Sequence, residues 1–267
     1  MTQTKNKKGR AARLDALLVE RGLAESTQKA QAMILAGEVR VEGLARVTAG
    51  ALVASGARIE IAGAASRYAS RGGEKLAGAL EDFGVRVVDK LCVDVGASTG
   101  GFTDCLLQHG ARRVYAVDVS TDQLAWKLQQ DPRVARVERN ARYLRAGDLD
   151  GAAAEIVTVD VSFISVATIL PAVVAAAGPG AEFLILVKPQ FELPRADVGA
   201  GGIVRDAALH ERAIERVRAA AVAAGLGVAG VRASCLAGAE GNQEFFMHAF
   251  GAQARELLQR KSQNPHP

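Results

Sequence analysis

Residues 91–103 constrain the fold of this chain more than any other segment. The apolar run Leu91-Cys-Val leads into Asp94, and the sequence Gly96-Ala-Ser-Thr-Gly-Gly-Phe102 follows before a predicted helix. An apolar strand, a glycine-rich turn and a helix form a nucleotide-binding cradle at the carboxyl edge of a parallel sheet. The segment therefore predicts an α/β domain that binds a nucleotide-like ligand.

The acid in this turn indicates which ligand to expect. The segment lacks the Gly-x-Gly-x-x-Gly spacing of dinucleotide sites, and a carboxylate at Asp94 would repel a pyrophosphate but attract a sulfonium. Asp118 ends the next predicted strand, where an acid suits ribose hydroxyls. Both acids favour S-adenosylmethionine over NAD. The alternative is an ordinary strand-turn-helix with a surface aspartate.

Strands and helices alternate from Leu91 onward in this 267-residue chain. Aromatic residues make up only 4% of it, so its core must be built from Ala, Val, Leu and Ile, as in helices packed on a parallel sheet. The final two strands are joined by a turn too short for a parallel crossover and must be antiparallel. We therefore predict the sheet of class I (Rossmann-like) methyltransferases, with one antiparallel strand. The predicted strands are 91–95, 113–118, 134–138, 155–160, 182–188, 227–234 and 244–250, and the predicted helices are 101–109, 121–130, 164–177 and 206–224.

A small module precedes this sheet. Two short helices and a few short strands over residues 11–63 are too small to bury a large core, so they are typical of an accessory binding module. Residues 1–14 carry five Lys and Arg residues and no acid. This basic arm is either a solvated, disordered tail or a segment that neutralises phosphates.

Composition narrows the function classes further. The net charge of +4 and the pI of about 9.1 permit nucleic-acid binding without establishing it. The three cysteines are far apart and the four histidines form no cluster, so we expect neither disulfides nor a metal. The most apolar region, 164–177, is shorter than the roughly 20 residues of a membrane span, and no secretory signal is recognisable. We expect a cytoplasmic monomer with no membrane partner.

Four charged residues are predicted to meet at the ligand-binding edge of the sheet. Asp160 and Lys188 end predicted strands, Glu244 opens the reversed final strand, and Lys75 begins the helix before the cradle. Methyl transfer to a hydroxyl requires proton removal, and a second lysine and a sulfonium should lower the pKa of a lysine base. Ordinary solvated strand-end charges are the alternative.

The two halves of the chain each resemble a known family. Arg13-Leu14-Asp15, Gly22-Leu23, Ser26 and Gly37-x-Val39-x-Val41 are similar to the S4 RNA-binding domain. The set Lys75, Asp160, Lys188 and Glu244 resembles the catalytic Lys-Asp-Lys-Glu tetrad of FtsJ-type ribose 2′-O-methyltransferases. Together, the S4 module, Ser70-Arg71-Gly72-x-x-Lys75 and Val187-Lys188-Pro189-Gln190-Phe191-Glu192 are similar to the TlyA family.

The resemblance implies methylation of cytidine ribose 2′-hydroxyls in ribosomal RNA or ribosomal subunits, with S-adenosylmethionine as cofactor. It implies a basic arm (1–10), an S4-like domain (11–63), a linker (64–73), an FtsJ-like domain (74–255) and a polar tail (256–267). The residues expected at the cofactor are Asp94, Gly96, Ser98, Gly100, Phe102, Asp118, Asn140 and Asp160. Those expected at RNA are Arg13, Lys29, Arg40, Arg67 and Arg71. Tyr68 and its neighbours replace the Trp-Val often seen at the linker, so coupling between domains through that Trp is not expected here.

Two other functions are compatible with the sequence. The TlyA family also carries the name haemolysin, although nothing in the sequence resembles a spanning or strongly cationic amphipathic helix. The chain could also be an RNA-binding factor whose methyltransferase domain is inactive. Liposome leakage would reveal the first, and the absence of methyl transfer would reveal the second.

Overall fold

The computed structural model describes residues 11–24, 26–42, 44, 47–61, 67–238 and 241–254. The chain divides into two compact units, residues 1–66 and 67–267. Residues 67–73, which we expected in a linker, therefore belong to the second unit. The predicted arm, the rest of the predicted linker and the predicted tail lie outside the described residues.

The first unit is a helical hairpin with two small sheets. Its elements are β1 (Ala11–Arg13), α1 (Leu14–Glu20), α2 (Thr27–Leu35), β2 (Val39–Val41), β3 (Leu52–Ala54) and β4 (Ile59–Ile61). Strand β1 pairs antiparallel with β3, and β2 pairs antiparallel with β4. The Ser26 hydroxyl caps α2 by accepting from the Lys29 amide at 3.1 Å, as its position before the helix predicts. The apolar stripe Leu14, Leu17 and Leu18 is fully buried.

The second unit is a seven-stranded sheet covered by helices. Its strands are β5 (Leu91–Val95), β6 (Arg113–Asp118), β7 (Val134–Glu138), β8 (Ile156–Val159), β9 (Glu182–Val187), β10 (Gly227–Ala233) and β11 (Phe245–Phe250). Its helices are α3 (Gly72–Phe83), α4 (Gly101–Gln108), α5 (Trp126–Gln129), α6 (Val166–Ala177), α7 (Pro189–Glu192) and α8 (Ala207–Ala223).

The strand order is β10-β11-β9-β8-β5-β6-β7. Strands β9, β8, β5, β6 and β7 are mutually parallel, and β11 runs antiparallel to both β9 and β10. The predicted fold class, a mostly parallel methyltransferase sheet with one antiparallel strand, is confirmed. Buried Val, Ile and Leu side chains of the central strands pack against α6 and α8 on one face and against α3 and α4 on the other.

One predicted helix is largely wrong. Residues 121–130 form a 3₁₀ turn, Thr121–Gln123, and then the single turn of α5, with Leu124 and Ala125 extended between them. The Ala125 amide donates to the carbonyl of Thr99 at 3.1 Å, and the side chain of Leu128 is buried against Gly100. Contacts with the glycine-rich turn therefore override the local helical preference.

Candidate active site

The glycine-rich turn follows β5 and has no room for side chains at two positions. Gly96 has a φ of 88°, and a Cβ there would lie 2.1 Å from the Asp160 carbonyl oxygen. Gly100 has a φ of 91°, and its Cβ would lie 2.2 Å from Leu128 Cδ1. Only glycine fits both the backbone and the space. The turn therefore packs tightly against the loop that follows β8.

Asp118 fixes this turn from the neighbouring strand. One of its carboxylate oxygens accepts from the Ser98 amide at 2.8 Å, and the other accepts from the Ser120 amide at 3.3 Å. Ser98 itself has a φ of 48°, which is uncommon for a residue other than glycine. Asp118 thus lies at the cradle, as its place at the end of β6 predicts. Asn140 lies exposed just after β7, where its side chain caps the turn Ala141–Tyr143.

Asp94 does not face the cradle. Its side chain is fully buried and accepts from the hydroxyl of Thr103 at 2.7 Å and from that of Thr158 at 3.0 Å. Burial raises the pKa of this carboxyl to about 7, and the two threonine hydrogen bonds oppose the rise. Asp94 therefore joins β5 to β8 and α4, and the expected contact of its side chain with a sulfonium is corrected.

The Phe102 side chain is also part of the core. It is 3% exposed and stacks on Phe246 with ring centroids 6.0 Å apart. A phenylalanine on the first turn of α4 faces the sheet because the helix packs there. The expectation that the ring of Phe102 lines the cofactor site is corrected for this reason.

The four predicted catalytic side chains form two ion pairs. Lys75 Nζ lies 2.6 Å from Glu244 Oε2, and Lys188 Nζ lies 2.5 Å from Asp160 Oδ1. Val95, Val159 and Val187 end parallel strands at one edge of the sheet, and the register of Phe245 opposite Val187 brings Glu244 to the same edge. All four side chains are mostly buried, so their mutual attraction is weakly screened.

The electrostatics of Lys188 differ from the expectation. Burial disfavours its charge, but the carboxylates of Asp160 and Glu244 outweigh burial and hold the pKa of the amine above its ordinary value. We expected a second lysine to lower this pKa. In the structure Lys75 has its own carboxylate, so its charge is compensated by Glu244.

Two further residues hold the segments that carry this centre, and neither was predicted from the sequence to have a role. Ser162 Oγ accepts from Lys188 Nζ at 3.0 Å. Glu192, four residues after Lys188, is 2% exposed and accepts from the Ser165 hydroxyl and the Val166 amide. Their signal in the sequence was their short spacing from Asp160 and Lys188.

The predicted RNA-binding residues differ in their surroundings. Lys29 and Arg40 are exposed on the first unit. Arg13 forms a two-pronged ion pair with Asp15, at 3.0 and 2.7 Å, and Asp15 is 1% exposed. In the second unit, Arg67 is exposed and lies over the Tyr68 ring, whereas Arg71 is half-buried at the start of α3.

The described residues contain neither a metal-binding cluster nor a membrane-spanning helix. Among the residues that the structure describes, no three His, Cys, Asp or Glu side chains come together in a group that could hold a metal ion. In the same part of the chain, no helix has both the length and the apolar composition of a membrane span.

Comparisons with known proteins identify the family. The family model of FtsJ-like methyltransferases matches residues 68–250. The chain belongs to this family. The S4 domain model matches residues 12–59 of this chain.

Relatives place the chain more closely. It is 46% identical to the 16S/23S rRNA (cytidine-2′-O)-methyltransferase TlyA of Mycobacterium tuberculosis over 240 residues. This aligned region covers 89% of each chain. It is 40% identical to Hemolysin A of Brachyspira hyodysenteriae, over 88% of this chain and 98% of that one. A solved structure from Streptococcus thermophilus, whose name contains the word hemolysin, is 38% identical, with a TM-score of 0.70 over 95% of this chain and 99% of that chain. The predicted membership of the TlyA family is confirmed.

Proposed function

We propose that this protein transfers a methyl group from S-adenosylmethionine to the ribose 2′-hydroxyl of a cytidine in ribosomal RNA. The observation that carries the proposal is a set of two mostly buried ion pairs, Lys75–Glu244 and Lys188–Asp160. They lie at the edge of the sheet that also bears the glycine-rich turn. TlyA relatives named for this reaction support the nucleotide and the RNA.

The residues around the turn fit an adenosyl cofactor. Gly96 and Gly100 let the turn pack against Asp160 and Leu128, so its shape is fixed before a ligand binds. The carboxylate of Asp118 retains lone pairs for ribose hydroxyls, and the exposed amide of Asn140 could contact the base. The cofactor would supply an electrophilic methyl group on its sulfonium.

We assign the proton transfer to Lys188. Asp160 and Ser162 fix its amine at 2.5 and 3.0 Å, so its direction toward a bound ribose is set before the substrate arrives. Because only a neutral amine accepts a proton and the carboxylates favour the charged form, the rate should rise with pH well above neutrality. Lys75, paired with Glu244, supplies a second cation beside the reacting oxygen.

RNA binding is divided between the two units in this proposal. Lys29 and Arg40 of the S4 domain are exposed and suited to phosphates. On the catalytic unit, Phe163 follows Asp160 by three residues and is 87% exposed, with its ring 5.3 Å from that of Phe191. Phe163 directly follows Ser162, which contacts the Lys188 amine, and an exposed aromatic ring there is suited to stacking on an unpaired base.

The decisive experiment is methyl incorporation into ribosomal RNA. Wild-type protein with labelled S-adenosylmethionine should label ribosomal RNA, and the sites should be 2′-O-methylcytidines absent from cells that lack the protein. Lys188→Ala should abolish incorporation while cofactor binding persists. Lys188→Arg should fail too if the lysine is the base, because guanidinium stays protonated. Substantial turnover by Lys188→Arg would contradict the assignment.

The role of the S4 domain needs its own test. Removing residues 1–66 should sharply reduce RNA affinity and flatten its salt dependence, while S-adenosylmethionine still binds residues 67–267. Equal methylation by the truncated and full-length chains would show that this domain is not the RNA anchor.

Hemolysin A among the relatives motivates one further measurement. Leakage from liposomes at protein concentrations that support full methylation would favour a membrane-lytic activity. Binding of RNA without any methyl incorporation would favour an inactive domain.

A further inference from the structure

The loop that follows β8, taken together with the first residue of α6 (residues 160–166), is attached at two points to the segment 188–192. At one point Lys188 Nζ donates to Ser162 Oγ at 3.0 Å. At the other, the carboxylate of Glu192 accepts from the Ser165 hydroxyl at 2.5 Å and from the Val166 amide at 2.7 Å. The segment that carries the catalytic lysine therefore holds both sides of the loop that carries the catalytic aspartate.

Glu192 forms the more buried of these attachments. Helix α6 begins at Val166, and the side chain of its N-cap, Ser165, makes no capping bond to the helix backbone. Glu192 performs the capping instead, from a different element. Burial raises the pKa of this carboxyl and the two donors oppose the rise, while Arg216 Nε lies 4.0 Å from it. A carboxylate so deeply buried is unfavourable unless its partners are fixed.

The backbone between the two attachments is strained. Phe163 has a φ of 66°, in the left-handed region that is unfavourable for an aromatic residue, and its side chain is 87% exposed. A conformation of this kind persists only when the surrounding structure enforces it. Ser162 is held on one side of Phe163 and Ser165 on the other, so these contacts supply that constraint.

We propose that Glu192 and Ser162 are positioning residues for Lys188. Together they lock the 160–166 loop onto the lysine-bearing segment, so that Asp160 and Ser162 fix the direction of the Lys188 amine. If the loop relaxed, Phe163 would return to an ordinary backbone conformation. Asp160 and Ser162 would then move away from the Lys188 amine. This inference rests on the proposed methyl transfer and adds residues outside the Lys-Asp-Lys-Glu set.

The first test removes the Glu192 attachment. Glu192→Ala should reduce kcat by between about 10-fold and 100-fold, the range expected for a small misplacement of a reacting group. KM for ribosomal RNA and the Kd for S-adenosylmethionine should stay within about twofold. Glu192→Gln, which keeps an acceptor for the Val166 amide, should restore most of the rate. The matched control is Glu182→Ala, because Glu182 begins β9 at the opposite edge, where it contacts His248 at 2.7 Å. It should leave kcat unchanged.

The second test uses Ser162, whose exposure makes misfolding of its variants a minor concern. The Ser162 hydroxyl accepts from the charged amine and so favours the charged form. Ser162→Ala should lower kcat and move the rising limb of its pH profile to lower pH, and Ser162→Thr should restore both. An unchanged rate and an unchanged limb in Ser162→Ala would overturn the proposal, even if Glu192→Ala did not fold.

Hydrogen exchange separates failure of this inference from failure of the proposed function. The amide of Val166, which donates to Glu192, should be protected in the wild-type protein and exchange faster in Glu192→Ala, whether or not RNA is methylated. If the wild-type protein methylates nothing but this difference is seen, the proposed reaction is wrong and the attachment of the loop is supported. Equal exchange in both proteins would overturn the attachment itself.

Discussion

Replacing Asp94 by asparagine should abolish one specific pH dependence of stability. Asp94 is fully buried, and burial raises the pKa of its carboxyl to about 7 from an ordinary value of 3.8. Asparagine fits the same space, because Thr158 can accept from the new amide while its own hydroxyl turns to the Val93 carbonyl at 3.4 Å. Asp94→Asn therefore removes a titrating group while leaving the hydrogen-bonding positions occupied.

The sign of the effect follows from proton linkage. Between pH 4 and pH 7 the folded protein keeps the Asp94 proton and the unfolded chain does not, so raising the pH favours unfolding. The loss is complete above pH 7, where both states are ionised. The difference between a pKa of about 7 in the folded protein and 3.8 in the unfolded chain corresponds to about 4 kcal/mol, since one pKa unit is worth about 1.36 kcal/mol. The free energy of unfolding of Asp94→Asn minus that of the wild-type protein should therefore rise by up to this amount between pH 4 and pH 7.

Fluorescence of Trp126 provides the assay. It is the single tryptophan of the chain and lies in α5 of the second unit, so it reports unfolding of the domain that contains Asp94. Urea titrations at several pH values give the difference between the two proteins, in which the other titrating groups cancel. Asp122→Asn, which removes a carboxylate with an 88% exposed side chain, is the matched control. A difference for Asp94→Asn that stays constant from pH 4 to pH 7 would refute the reasoning.

Two further predictions concern the cofactor and the RNA. Asp118→Ala should weaken S-adenosylmethionine binding by roughly 1–3 kcal/mol in calorimetry, because it removes an acceptor for ribose and for the Ser98 amide. Unchanged affinity would exclude Asp118 from the site. Lys29→Ala should reduce the salt dependence of RNA binding by about one unit without changing stability. Arg13→Ala should instead speed hydrogen exchange in residues 11–61, because it leaves the buried Asp15 without its cation. If Lys29→Ala and Arg13→Ala changed hydrogen exchange equally, the assignment of Lys29 to RNA binding and of Arg13 to the stability of the fold would be contradicted.

Much of this structure follows from patterns of short range in the sequence. The seven strands begin and end within one or two residues of their predicted boundaries. Apolar runs bounded by glycine and charged residues are strong signals for strands. The sequence also predicted which charged residues meet at the sheet edge, because parallel strands end at the same edge. These residues are Lys75, Asp160, Lys188 and Glu244. The sequence did not predict the side-chain directions of Asp94 and Phe102. Both lie in the cradle sequence, and packing of α4 against the sheet decides that they face inward.

The raised pKa of Lys188 could not be predicted from the sequence. A list of charged residues does not reveal that each lysine has its own carboxylate at 2.5 or 2.6 Å. Glu192 was overlooked for a related reason, because its partners Ser165 and Val166 are more than 25 residues away in the chain. Pairings of this kind depend on distance in space, which strand patterns alone do not specify.

The position of β11 has a consequence for how the protein folds. Among the described residues this strand is the last along the chain, but it lies inside the sheet, between β9 and β10, and Glu244 directly precedes it. A growing chain that has not yet reached Phe245 exposes the edge of β9 and leaves Lys75 without its carboxylate partner, 169 residues away. Such long-range strand insertion is slow and leaves apolar strand edges open. The Lys75–Glu244 ion pair therefore cannot form until β11 is in place. We expect an intermediate without β11 to be the species that aggregates or recruits chaperones.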